Sequence, residues 1–355
     1  MNINKLEEKL QELGQPAFRM KQIQKAVFQD GVESWDGVST ISKDLREILK
    51  KNVSILSFDV EKVLEAKDGQ SVKALLKLAD GNLIETVLIS PIPDTWSACI
   101  SCQVGCPMGC QFCATGKLGL KRNLTAEEIT DQVLFWKQWL TKTQKDKAQS
   151  TNKTQTNYKP QTISTIVYMG MGEPFLNWDN VRESLENLIN PELFGFGSRS
   201  ISVSTAGIPE GIEKLAEEFP QVNLALSLHF ADDQKRSEIM PINRKNNLEA
   251  LKKSLQNYFA KTKRKVFLEY VMLQEINDTR EDADKLVRFV KSIGKLQLLH
   301  VNLIRYNSTG SDFKASSKER TNTFKEYLLQ NHIPVTIRKS LGEEIQGACG
   351  QLAGK

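Results

Sequence analysis

No apolar run in the 355 residues approaches the ~20 needed to cross a bilayer, which excludes a membrane-spanning protein. The opening MNINKLEEKLQELG mixes charge and leucine at helical spacing and lacks the basic-then-apolar layout of an export signal, so the expected location is the cytoplasm. A strong charge of one sign is also missing. Lys+Arg 48 against Asp+Glu 43 leaves +5, which permits a polyanionic partner without requiring one. With 40% hydrophobic and 26% charged residues, the composition is that of an ordinary enzyme, and the length suits one large domain with a smaller appendage. Residues 141–161, TKTQKDKAQSTNKTQTNYKPQ, hold one Tyr, one Ala and no larger aliphatic residue, too little apolar surface to fold alone, and read as a disordered, solvated insertion.

What is present begins with three helical stretches. KLEEKLQELG stops at Gly14, PAFRMKQIQKAVFQDG stops at Gly31, and SKDLREILKKN follows Ser42. Residues 53–89 then alternate as strands broken by Asp68-Gly69 and Asp80-Gly81, which predicts an antiparallel meander. SPIPDTW, with two prolines, marks a boundary. Beyond it, the runs SACISCQ, TISTIVYMGMG, ISVSTAG, VNLALSLH, VFLEYVML and LQLLHVNLI alternate with helical segments, and VTIRKS offers an edge strand. The expected fold is α/β, a partial (β/α)6 barrel with its chemistry at the C-terminal strand ends. The expected domains are 1–91, a helical and β accessory unit; 92–348, the barrel; and 349–355, a tail.

Five of six cysteines lie within fifteen residues: Cys99, Cys102, Cys106, Cys110 and Cys113. Cys106-Pro-Met-Gly-Cys110-Gln-Phe-Cys113 is a CxxxCxxC loop after the first barrel strand. Three thiolates on one loop can hold three irons of a [4Fe-4S] cluster and leave the fourth open to a chelating substrate. This spacing, with Phe112 before the last cysteine, is the signature of the radical S-adenosylmethionine (SAM) superfamily. The competing reading is a zinc staple from Cys99-x-x-Cys102 and Cys110-x-x-Cys113, but only seven residues separate those pairs, against the ~12–20 common in zinc modules. Gly172 and Glu173 end the second strand run, where a carboxylate can meet the SAM ammonium. Ser204, Ser227, Leu228, His229 and Asn307 close later runs, offering hydroxyl, backbone and amide partners on the same rim.

The segments CISCQVGCPMGCQFCATG, LKRNLTAEEI, VYMGMGEPFLN, SVSTAGIP, LALSLH, IMPIN, EYVML, HVNLIRYN and ACGQL together resemble the RlmN/Cfr family of RNA adenine methyltransferases, from about Arg19 to Gly354 outside the insertion. The resemblance implies a radical SAM enzyme that methylates C2 of adenosine 2503 in 23S rRNA and of adenosine 37 in tRNA, with C8 of the same rRNA adenosine as the alternative. It implies that Cys106, Cys110 and Cys113 ligate the cluster, and that Gly172, Glu173, Ser204, Ser227, Leu228, His229 and Asn307 hold SAM, used twice per turnover. Cys349 falls where the family carries its methyl-accepting cysteine, Cys99 where it carries the resolving partner of a transient disulfide, and Glu85 where it carries a proton acceptor. It further implies a monomer served by an electron donor such as flavodoxin or ferredoxin. Cys102 departs from the family pattern, which has serine there. Pro174 leans toward C2, whereas HVNLIRYN and CATG before LKRNLTAEEI are common to the C8 branch. Basic residues scattered from Arg19, Lys21 and Lys25 through Lys117, Lys121, Arg122 and Arg199 to Arg338 and Lys339 reveal no stacking platform, and the helical N-terminus is the expected RNA gripper.

Overall fold

The computed structural model describes residues 1–150 and 161–354, with side chains of 145–150 left aside. Helices α1 (Ile3–Glu12), α2 (Phe18–Gln24), which continues as one π-helical turn to Gln29, and α3 (Lys43–Asn52) form the cap, α3 capped by the Ser42 hydroxyl. Their apolar faces close a separate small core of Leu6, Ile23, Val27, Phe28, Val38 and Leu49, sealed by Leu134 and Leu193 from outside the cap.

The strands β1 (Phe58–Glu65), β2 (Ser71–Leu78) and β3 (Leu83–Ile92) form the meander, turning at the two Asp-Gly pairs. They do not stand apart. β3 pairs antiparallel with β4 (Thr95–Cys99), and one ten-stranded sheet runs on through β7 (Thr162–Tyr168), β8 (Ile201–Thr205), β9 (Asn223–Ser227), β10 (Val266–Met272), β11 (Leu299–Arg305) and β12 (Val335–Arg338). The strands from β4 onward are parallel. The expected boundary at 91/92 thus falls inside β3, and the two apolar cores divide near residue 55 instead. Pairing with β4 satisfies the backbone N–H and carbonyl groups that the meander's β3 edge would otherwise leave open.

Short strands β5 (Gln103–Gly105) and β6 (Leu120–Asn123) form a separate antiparallel ribbon whose loop is the cysteine motif. The expected first barrel strand over 97–103 is accordingly divided. It leaves the sheet after Cys99 because Gln132 captures Ser101 on both sides: the Ser101 N–H donates to Oε1 at 2.8 Å and its carbonyl accepts from Nε2 at 2.9 Å. The crossover helices are α4 (Ala126–Ser150), α5 (Trp178–Ile189), α6 (Pro209–Glu218), the short α7 (Asp233–Ile239) with α8 (Leu248–Lys261), α9 (Arg280–Ile293) and α10 (Lys318–Gln330), giving six β-then-α units and β12 as the added edge. Helix α4 runs through Ser150, so the expected insertion starts as helix; its residues 151–160 lie outside the described residues. The outer side of α4 docks the cap, with Lys137 Nζ donating to the Phe28 carbonyl at 2.6 Å and Gln138 Nε2 to that of Val32 at 2.9 Å.

Gly105 enters the cysteine loop at φ 77°, and a Cβ there would stand 1.9 Å from the Gly119 carbonyl oxygen. Gly105→Ala is therefore expected to lower stability by more than the ~1–2 kcal/mol of a left-handed alanine alone, read as a drop in thermal midpoint.

Candidate active site

The cysteine loop, the strand ends and the C-terminal tail meet at one rim. Cys106 and Cys110 are buried and Cys113 partly so, and the charges of the other two thiols help raise Cys110. Burial is the leading cause for both, pushing Cys106 up to about 12 and Cys110 higher still. Three thiols so crowded need a positive partner to ionise together, and one lies beneath them.

Arg236, on α7, is fully buried, yet every acceptor on its guanidinium is neutral: the carbonyls of Leu228 (3.0 Å), Ala206 (2.6 Å) and Ser227 (3.4 Å) and the Asn243 amide oxygen (2.8 Å). Burial lowers its pKa to about 10, and Cys110 heads the opposing influences. The loop seats on the end of α7 through Gln111, whose N–H donates to the Ile239 carbonyl at 3.1 Å and whose Nε2 donates to that of Glu238 at 2.7 Å. A buried cation without a carboxylate partner beside three thiols is the complement of an anionic thiolate-bound cluster. Among the described residues, no three Cys, His, Asp or Glu side chains converge on one metal ion.

The SAM candidates line the adjoining strand ends. Gly172 has φ 108°, and a Cβ there would press on Gln103 at 2.6 Å. Glu173 is buried, and its carboxylate accepts from the backbone of Phe175 (3.2 Å) and Ala206 (2.7 Å). Burial nevertheless raises its pKa to about 7. Ser204 and Ser227 face each other across β8 and β9, their hydroxyls 3.4 Å apart. Leu228 is fully buried. His229 is held at φ 56°, with Nδ1 accepting from Val271 N–H at 3.1 Å and Phe112 edge-on at 4.9 Å. Burial keeps this imidazole neutral, with its pKa lowered to about 3, so the proton is on Nε2. Asn307 is already engaged, accepting from the Ser340 hydroxyl at 2.5 Å and donating to the Cys349 carbonyl at 3.3 Å.

The tail brings Cys349 to Cys99. Cys349 is reached by solvent, yet the protein around it is dense enough that burial raises its pKa; the charge of Arg338 pulls it back down. Cys99, at the end of β4, is pushed to about 12 by burial first and then by the charge of Cys349, with Arg338 again opposing. Arg338, grouped with the RNA-contact candidates on sequence, instead pairs with buried Glu269 at 3.5 Å, and its charge favours the thiolate forms of Cys99 and Cys349. Glu269, whose Oε2 is buried without a partner, is a site residue that sequence reasoning missed; its signal was a carboxylate inside the otherwise apolar EYVML. Arg122 is bound to Asp80 at 2.5 Å and Glu128 at 2.7 Å, and Lys21 to Glu192 at 3.0 Å, so neither is a free cation. Cys102 is buried against the Met171 carbonyl at 3.6 Å, and burial first, then the charges of Glu173 and Cys106, hold its thiol well above the usual range.

Glu85 is 1% exposed and fully occupied: Oε1 accepts from Lys73 Nζ at 2.7 Å, and Oε2 from the backbone N–H groups of Ala353 (2.6 Å) and Gly354 (3.1 Å). Lys73 was not singled out from the sequence. The signal lay in the hairpin register: Leu75 opposes Glu85 and Lys73 opposes Val87, which sets Lys73 and Glu85 diagonally on one face.

Comparison with known proteins agrees with this geometry. Residues 1–55 match the family described as the ribosomal RNA large subunit methyltransferase N-terminal domain. A Chloroflexus aurantiacus protein named "Probable dual-specificity RNA methyltransferase RlmN" is 41% identical over 358 residues, covering 100% of this chain and 92% of its own length. One of the same name from Christiangramia forsetii is 39% identical over 343 residues, covering 96% and 92%. The ribosomal RNA large subunit methyltransferase Cfr of Shouchella clausii is 37% identical over 354 residues, covering 99% and 95%. The crystal structure of a radical SAM methyltransferase from Sphaerobacter thermophilus superposes with a TM-score of 0.88 at 36% identity, covering 100% and 98%. Such relatives imply SAM and a [4Fe-4S] cluster here as well.

Below about pH 7 Glu173 is protonated and cannot attract the SAM ammonium, so SAM affinity of the cluster-loaded protein is expected to fall as pH drops from 8 to 6. Equilibrium dialysis with labelled SAM checks this; Glu173→Gln should bind more weakly at pH 8 and lose the pH dependence.

Proposed function

Because the chain belongs to the RlmN/Cfr family of radical SAM RNA methyltransferases, we propose that it methylates C2 of adenosine 2503 in 23S rRNA and of adenosine 37 in tRNA. The observation that carries this reading is the meeting of Cys349 and Cys99 beside Arg338 on the rim that also holds the cysteine loop. C2 of adenine lies between two ring nitrogens and is electron-poor, so it cannot displace a methyl group from SAM directly. A carrier is required.

Cys349 is that carrier. As a thiolate stabilised by Arg338, its Sγ forms a bond to the methyl carbon of one SAM while the sulfonium–methyl bond breaks. When bound through Cys106, Cys110 and Cys113, the cluster, with one iron open to a second SAM, supplies the electron that turns that SAM into a hydrogen-abstracting radical. An outside donor such as flavodoxin or ferredoxin provides that electron. Gly172, Glu173, Ser204, Ser227, Leu228, His229 and Asn307 hold SAM over the sheet. Cys349 presents its methyl carbon, less one hydrogen, to C2 and becomes tethered to the RNA. The tethered adduct, left with one unpaired electron, returns that electron to the oxidised electron-transfer partner, and Glu85 accepts the C2 proton. Cys99 then attacks Cys349 Sγ: the sulfur–sulfur bond forms, the sulfur–carbon bond breaks, and the released carbon takes a proton to become the methyl group. The disulfide is afterwards reduced.

Residues 1–55, with their own core and the family match, are the RNA-gripping unit of this reading. The target base must leave its stack to reach Cys349, which favours loops.

The test is nucleoside mass spectrometry on both RNAs after anaerobic incubation with cluster-loaded protein, reductant and methyl-deuterated SAM. The expected product is 2-methyladenosine carrying two deuteriums. Labelled 8-methyladenosine would assign C8 chemistry instead, and no labelled base from a protein with an intact cluster would overturn the reading. Cys349→Ala should cleave SAM without methylating RNA, whereas Cys99→Ala should accumulate a covalent protein–RNA adduct visible on denaturing gels.

A further inference from the structure

We propose that the Lys73–Glu85 ion pair is a clamp that pins both ends of the loop carrying Cys349, with Lys73 a positioning residue for methyl transfer and Glu85 Oε2 open to a proton only once the tail has lifted. Lys73 Nζ donates to the Gln346 carbonyl at 3.3 Å, three residues before Cys349. Glu85 Oε2 accepts from Ala353 and Gly354, just after it. The same two side chains bind each other at 2.7 Å, with relative exposures of only 6% and 1%. One ion pair therefore fixes the entry and the exit of residues 347–352.

The neighbouring contacts strengthen each end without replacing it. Upstream, the Gly347 N–H donates to the Gly342 carbonyl at 2.8 Å, and Lys339 Nζ donates to Gln70 Oε1 at 2.6 Å at the turn leading into β2. Downstream, the Thr115 hydroxyl donates to the Leu352 carbonyl at 2.6 Å, tying the tail to the cysteine loop. Cys349 itself makes only a backbone contact, to Asn307. The Gly350 carbonyl accepts from the Ala114 N–H at 2.8 Å and Gln351 Nε2 donates to the Ser308 carbonyl at 3.1 Å, so the clamp shares the placing of Cys349 beside Cys99 with these contacts inside the loop.

Two consequences follow from the hydrogen-bond count. Each Glu85 oxygen is engaged, so a substrate proton can reach Oε2 only after Ala353 and Gly354 let go. A protonated Glu85 in turn holds Lys73 and the two N–H groups less well than a carboxylate does, so the loop, once lifted, stays released while Cys99 approaches the Cys349 sulfur. This timing rests on the function proposed above, whereas the clamp itself does not.

The experiment measures alkylation of Cys349 by a maleimide in the full, cluster-loaded chain, resolved by peptide mass spectrometry, with buried Cys102 as the internal monitor of global unfolding. Lys73→Met and Ala353→Pro, which removes one donor N–H at the exposed end, should each speed Cys349 labelling by about tenfold while Cys102 stays protected. Lys73→Arg should return the rate to near that of the wild type. If Lys73→Met does not fold, Ala353→Pro decides alone. Unchanged Cys349 labelling in Ala353→Pro, or faster labelling accompanied by exposure of Cys102, would overturn the clamp. RNA methylation is assayed on the same wild-type preparation, so a failure there would count against the proposed reaction and leave the labelling result standing.

Discussion

An ammonium and a carboxylate buried at 2.7 Å, Lys73 and Glu85, tie the meander to a tail more than 260 residues away in sequence. Burying two charges is costly unless each keeps its hydrogen bonds. Here the tail supplies them: two N–H groups donate to Glu85, and one carbonyl accepts from Lys73. Sheet, tail and ion pair are thus mutually dependent: the meander's pairing with β4 positions Glu85, and Glu85 positions the loop that carries Cys349.

The same tension between burial and charge organises the sulfur chemistry. Burial raises Cys99, Cys106, Cys110 and Cys349, which protects thiols from unwanted reaction, while two cations oppose it locally. Arg236 lies under the cysteine loop and Arg338 beside the Cys99–Cys349 pair. Each group of thiols therefore has its own positive neighbour, and Cys102, buried against a carbonyl, feels the charge of Cys106.

Helix α4 is used on both sides. Gln132 and Trp136 face the sheet, where Gln132 draws the chain out of β4 and Trp136 Nε1 donates to the Thr86 hydroxyl at 3.0 Å. Leu134, Lys137 and Gln138 face the cap. One helix thereby sets where the cysteine loop begins and where the N-terminal unit sits.

Much of this was legible in the residues. The alternation of apolar runs and helical stretches announced six β-then-α units, the Asp-Gly pairs announced the meander, and CxxxCxxC announced the cluster loop, because each is a local pattern with a local cause. α10 was harder, since KERTNTFKEYLLQ buries only Phe324 and Leu328 and is held by packing more than by its own pattern. Beyond the Cys99–Cys349 pair that the resemblance implied, partnership was not legible. That Arg338 faces two thiols, that Arg236 is buried without a counter-ion, that the cap's core ends near residue 55 and that Lys73 and Glu85 grip the tail are all decided by long-range register. Sequence by itself determined which side chains could do the chemistry; only the tertiary structure decided which of them meet, because contact between residues far apart in the chain is set by how sheet and helices pack and not by any neighbour along the backbone.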